Sequence, residues 1–174
     1  RVEWGSVFPI NAKADSVVVN SVAEGELKVS SSQVRRALSA GDIERAATLL
    51  GYRYSISGRV IHGAALGRTI GFPTANIELD EPLQLLPLYG VYEVAVSVNG
   101  REYAGVINIG TKPTVTESGR LSVEVFIMGF DGDLYGKEIT VSFLEHIRDE
   151  IRFSSLEELK EQIQRDILFS KNYQ

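Results

Sequence analysis

The 174-residue chain has no cysteine, two histidines, one methionine and one tryptophan, and the missing residue types remove classes of chemistry. Without cysteine there are no disulfides, no thiolate nucleophile and no sulfur-ligated metal. Two histidines are too few to expect an imidazole-built zinc centre, so a metal here would be a hard cation held by oxygen atoms. No uncharged apolar run approaches the roughly 18 residues of a membrane span, and the opening residues lack the form of a secretory signal. Basic residues are outnumbered: 18 Lys and Arg stand against 23 Asp and Glu, a formal net charge of −5. That balance argues against a general nucleic-acid coat. The expectation is a soluble cytoplasmic protein with no nucleic-acid or membrane partner, whose 44% hydrophobic content builds a core without covalent staples.

The length suits one compact domain plus an appendage. Residues 1–29 are irregular, with a first strand signal only in the β-branched run Val17-Val18-Val19. Ser30 to Leu38 places hydroxyl residues ahead of apolar ones at helical spacing, which predicts a capped helix ended by Gly41. Asp42 then caps a second helix, Ile43 to Leu50, with Gly51 as its stop. From Tyr54 the period changes to alternation. Strands are predicted near Ser55–Ile61, Pro73–Leu79, Val91–Val98, Glu102–Ile109, Leu121–Met128 and Glu138–Leu144. Asn99-Gly100 marks a tight hairpin and Asp131-Gly132 another turn. Six short strands without room for crossover helices predict a closed antiparallel barrel. Ser155 with Glu158 reads as a capping box, opening a last helix whose stripe of Leu156, Leu159, Ile163 and Ile167 should lie on the barrel.

Four groups of residues can carry chemistry. Gly63, Gly67 and Gly71 lie between two strands and let backbone N–H groups approach an anion, with Arg68 adding charge. The Lys-Ser/Thr of a Walker loop is missing, and glycine spacing alone fits a mobile connection equally well. Thr74 and Asn76, two apart on a strand, share a face, where a hydroxyl and an amide oxygen can hold Mg²⁺ or simply meet solvent. Glu124 alternates with the core residues Val123, Val125 and Ile127 and so shares its face with Phe126 and Met128. There it can be a base with raised proton affinity or an ordinary exposed strand carboxylate. Arg148, Glu150 and Phe153 fall between the last strand and the last helix, as a ligand-closing loop or a solvated helix lead-in.

Together these stretches resemble the riboflavin kinase family, in particular the kinase module of bacterial bifunctional riboflavin kinase/FMN adenylyltransferases. The resemblance runs from about Tyr52 to Asp166. Its most specific part is His62-Gly63, Gly67-Arg68 and Gly71-Phe72-Pro73-Thr74-Ala75-Asn76; further matches are Gly90-Val91-Tyr92, Asn108-Ile109-Gly110, Pro113-Thr114, Asp133-Leu134-Tyr135-Gly136 and Ile147 to Leu156, with Gln162 and Asp166 beyond. The resemblance implies a Greek-key barrel over residues 51–174 that transfers the γ-phosphoryl group of ATP to riboflavin, giving FMN. Glu124 would be the base, and Thr74 and Asn76 would hold Mg²⁺. Gly63, Gly67, Arg68, Gly71 and Tyr135 would line the nucleotide site, and Arg148, Glu150 and Phe153 would close on the flavin. Two positions depart from the family pattern: Phe126 replaces a usual His, and Gly129 stands where Asp is common. They leave open a catalytically weak flavin- or nucleotide-binding regulatory module.

Ser30-Ser31-Ser32-Gln33-Val34-Arg35 also resembles the motif that closes the adenylyltransferase module, while the His-x-Gly-His motif of that site is absent from these residues. Residues 1–50 therefore read as the tail of an adenylyltransferase module missing from this chain. FMN adenylyltransferase activity is not expected of this chain alone.

Overall fold

The computed structural model describes residues 30–63, 66–81, 84–112 and 120–171. The Val17–Val19 strand signal, positions 64–65 of the glycine-rich loop and Pro113-Thr114 lie outside the described residues.

Helix α1 (Ser31–Ser39) starts where its cap demands: the Ser30 hydroxyl accepts the Gln33 N–H, and the Gln33 side chain returns the bond to the Ser30 N–H. Asp42 caps α2 (Ile43–Leu50) through the Arg45 N–H, and Gly51 ends it at φ 78°, a conformation glycine adopts without a Cβ penalty. Seven further elements precede the last helix. They are β1 (Ser55–Ile61), the one-turn α3 (Leu66–Thr69), β2 (Thr74–Leu79), β3 (Gly90–Val98), β4 (Arg101–Lys112), β5 (Arg120–Ile127) and β6 (Glu138–Asp149). Helix α4 (Leu156–Lys171) follows.

The strands close into an antiparallel barrel in the order β1-β2-β5-β4-β3-β6. β3 and β4 join at Asn99-Gly100, whose φ values of 51° and 78° are those of the tight hairpin turn. Inward positions fill the barrel with Ile56, Val60, Tyr92, Val96, Ile107 and Val125, all 2% exposed or less. Leu38, Ile43 and Ala46 of the two leading helices belong to the same core, and the Leu88 N–H donates to the Leu38 carbonyl at 2.8 Å.

Four local readings are corrected. β2 begins at Thr74 rather than Pro73, which has no N–H to give a ladder. The glycine-rich stretch is partly helical, as α3. β6 runs on to Asp149, so Arg148 is a strand residue and not part of a loop. Alternation fails beyond Phe143 because β6 bulges twice against β3: Val94 pairs with Phe143 but Glu93 with Glu145, and Tyr92 with His146 but Val91 with Arg148. Finally, Ser155 caps the Glu158 N–H, but the Glu158 carboxylate bonds the Ser154 N–H and hydroxyl instead of Ser155, which holds that carboxyl below its ordinary range.

Helix α4 lies on the outer side of the barrel through a mixed face. Ile167 is buried, whereas Leu156 is 46% exposed and stands away from the contact. Polar groups complete the contact. The Ser170 hydroxyl donates to buried Glu93 of β3 at 3.0 Å. Asp166, 3% exposed, takes Nε and Nη2 of Arg148 at 3.0 and 2.8 Å and Nε2 of Gln162 at 2.8 Å.

Two stability predictions follow from this packing. Asp166→Ala strands the Arg148 guanidinium and should lower unfolding free energy by about 3–5 kcal/mol in urea titration; a loss under about 1 kcal/mol would show the pair to be solvated. Tyr92 donates to the Leu88 carbonyl, and burial first, then the Asp149 charge, pushes its phenol from 10.0 up to about 12. The folded state therefore keeps a proton that the unfolded chain gives up. The stability this confers is whole below pH 10 and is lost as pH rises toward about 12. In Tyr92→Phe that part of the alkaline loss should disappear when urea midpoints at pH 9 and 11 are compared with wild type.

Candidate active site

The short seam between β2 and β5 pairs Thr74 with Phe126, Ala75 with Val125 and Asn76 with Glu124. Strand alternation turns Ile77, Val123 and Val125 into the core and leaves Thr74, Asn76 and Glu124 together on the outer face. The Thr74 hydroxyl donates to Glu124 Oε2 at 3.0 Å. From the same strand the Ser122 hydroxyl donates to Glu124 Oε1, also at 3.0 Å. On the other side of Glu124, its register partner on β4 is Asn108. The carboxylate is thus half-buried and held through both oxygens.

The glycine-rich segment covers this group closely. A Cβ at Gly63 would lie 2.2 Å from the Asn76 amide nitrogen, so any larger residue there would displace that side chain. A Cβ at Gly67 would lie 2.2 Å from the Phe72 carbonyl oxygen and 3.3 Å from the Thr74 hydroxyl. The Phe72 N–H bonds the Gly67 carbonyl at 2.8 Å, and Gly71 completes the reversal at φ 88°. The loop carrying Tyr135 meets the segment from across the barrel mouth, where the Tyr135 and His62 rings stack 3.8 Å apart. Between them opens a cleft of about 580 Å³ whose walls include Arg68, Gly71, Thr74, Phe126, Phe130 and Tyr135. Phe126 packs edge-on against Phe72 with centroids 5.7 Å apart. Gly129 turns the chain after β5 at φ 65°, a left-handed conformation glycine adopts without a Cβ penalty.

The three residues expected to close on a flavin are placed differently from one another. Arg148 is fixed in β6 by Asp166, with its guanidinium 5.8 Å from the centre of the Phe153 ring. Glu150, beyond the strand end, reaches back to β4. Its Oε1 accepts the Thr111 N–H at 3.3 Å, and a Cβ at Gly110 would be 2.1 Å from it. Gly110 is the register partner of Ser122. Glu124 therefore lies on a face bounded by the cleft beyond Thr74 and by Glu150 beyond Ser122. Sequence reasoning missed Ser122, although its position two before Glu124 on a strand already places both on one face. Asp166 was noticed only as a family match, because nothing local shows that it reaches Arg148.

The donor set at the seam is a hydroxyl, an amide oxygen and a carboxylate, which fits a hard divalent cation and not zinc. Among the described residues no cluster of three or more His, Asp or Glu is placed to hold a metal. A cation here would complete its shell with water or with oxygens of a bound phosphate.

Among the described residues no helix is long and apolar enough to cross a membrane. A match to the Flavokinase family, riboflavin kinase, covers residues 50–174. The chain is 48% identical over 141 residues to the bifunctional riboflavin kinase/FMN adenylyltransferase of Pseudomonas fluorescens, covering 81% of this chain and 45% of that protein. It is 45% identical over 159 residues to the enzyme of the same name from Bacillus subtilis (strain 168), covering 90% and 50%. Among solved structures it is similar to a crystal structure described as a macrolide-efflux protein from Streptococcus pneumoniae, with a TM-score of 0.78 and 35% identity over 88% of this chain and 50% of that one. The chain spans about half the length of these curated relatives. With the barrel, the seam and the glycine-covered cleft all falling inside the matched residues, the chain belongs to the riboflavin kinase family.

Proposed function

We propose that this chain is a Mg²⁺-dependent riboflavin kinase that transfers the γ-phosphoryl group of ATP to the ribityl 5′-hydroxyl, giving FMN and ADP. The observation that carries the reading is the Thr74–Asn76–Glu124 group, roofed by glycines on one flank and facing Glu150 on the other. Phosphoryl transfer asks little covalent chemistry of a protein and much positioning and charge neutralisation. Arg68 and the amides near Gly63, Gly67 and Gly71 suit the phosphates, and the cleft beside Tyr135 and Phe126 suits the nucleoside. Thr74 and Asn76 would hold Mg²⁺, which when bound neutralises charge on the transferring group. Riboflavin would lie over β4 toward Glu150 and Phe153, with Arg148 holding the strand end beneath them.

In the reaction the 5′-oxygen forms a bond to the γ-phosphorus as the bond from that phosphorus to the bridging oxygen of ADP breaks. The hydroxyl proton passes to Glu124, which the Thr74 hydroxyl holds in place. Base assistance of this kind is typically worth about 10²–10⁴-fold. Phe126, in register with Thr74, and Gly129, in the turn after β5, both line the cleft, and neither is given a reacting role here. The adenylyltransferase half of the curated relatives lies outside the family match, and its activity is not proposed for these residues.

Incubating the chain with riboflavin, ATP and Mg²⁺ and separating the flavins by chromatography tests the reading directly: FMN should form. Riboflavin binding without FMN would leave a flavin-binding module instead. Glu124→Gln should lower kcat by at least ~10²-fold while nucleotide affinity stays within a fewfold, and near wild-type turnover would remove Glu124 from the role. Thr74→Ala should raise the Mg²⁺ concentration for half-maximal activity; an unchanged requirement would refute the cation assignment.

A further inference from the structure

Glu124 has a described hydroxyl partner on each carboxylate oxygen, and the two partners differ in kind. Thr74 comes from β2, beside the glycine-rich segment and in the cleft wall. Ser122 comes from Glu124's own strand, and its hydroxyl sits on Oε1 at 3.0 Å. Ser122 is 7% exposed, and its register partner is Gly110, on which the Glu150 carboxylate lies. A serine so enclosed, whose hydroxyl points along the sheet at a carboxylate, is poorly explained by solvation. A valine or threonine would suit the strand better on propensity alone.

We infer that Ser122 is a positioning residue for phosphoryl transfer, fixing the plane of the Glu124 carboxylate so that the oxygen facing the flavin side receives the 5′-hydroxyl proton. The inference rests on Glu124 being the base. A carboxylate held at one oxygen only can rotate about its last torsion, a broad and soft one; a second donor removes that freedom. On the adjoining strands the residues in register with Glu124 are uncharged, Asn76 on β2 and Asn108 on β4. Charged groups on this side of the barrel include Glu150 on Gly110 and Arg68 in the cleft wall.

Steady-state kinetics on wild type, Ser122→Ala, Ser122→Thr and Glu124→Gln test this. Ser122→Ala should lower kcat about tenfold, the effect of losing one charge-assisted hydrogen bond. KM for riboflavin and for ATP should stay within about twofold, since the hydroxyl binds neither. Ser122→Thr keeps the hydroxyl and should restore the rate. A Ser122→Ala variant with wild-type kcat, or a Ser122→Thr variant as slow as Ser122→Ala, would reduce Ser122 to packing and overturn the proposal. If Glu124→Gln has lost turnover while Ser122→Ala keeps the wild-type rate, the base stands and only the Ser122 role falls. A Glu124→Gln variant with wild-type turnover would remove both.

Discussion

Barrel closure and the assembly of the candidate site depend on the same pairing. β2 is short and meets β5 only through Thr74, Ala75 and Asn76 against Phe126, Val125 and Glu124, yet without that seam the sheet has two open edges instead of none. Because side chains alternate, the register that puts Ala75 and Val125 toward the core also puts Thr74, Asn76 and Glu124 outside on one patch. A slip by one residue would bury the carboxylate and expose the valine. The hydrophobic requirement of the core therefore fixes the geometry of the polar group, and the chemistry comes at no separate folding cost.

Around that patch the barrel keeps two flanks apart. On one side the glycines pass so close that a methyl group would meet the Asn76 side chain at Gly63 and the Phe72 carbonyl at Gly67. On the other, Glu150 folds back onto Gly110, and the adjacent strand end is held by the buried Arg148–Asp166 pair. The pair is bidentate and Gln162 adds a further donor, which is the condition under which burying two charges is tolerated. Its consequence is that Arg148 acts here as an anchor joining β6 to α4.

Most of the architecture was legible because local rules agreed with the global fold. Ser30, Asp42 and Gly51 announced two helices, Asn99-Gly100 a hairpin, and six alternating segments a barrel. The meeting of Thr74, Asn76 and Glu124 on one face was legible because it depends on alternation alone. Two kinds of feature were not. The bulges in β6 break the period of two, so the strand read as ending at Leu144 and Arg148 as a loop residue. Contacts between distant elements leave no local mark either: nothing near Asp166 betrays Arg148, nothing near Ser170 betrays Glu93, and Gly110 does not reveal the carboxylate that rests on it.

The central claim is that the seam holds cation, base and acceptor hydroxyl together. A crystal structure of the chain with ADP, Mg²⁺ and riboflavin tests it most directly. The account predicts the cation against Thr74 and Asn76, and the ribityl 5′-hydroxyl within hydrogen-bond reach, about 2.6–3.2 Å, of Glu124. A ternary complex in which that hydroxyl addresses another side chain, or in which the cation sits away from the seam, would contradict it.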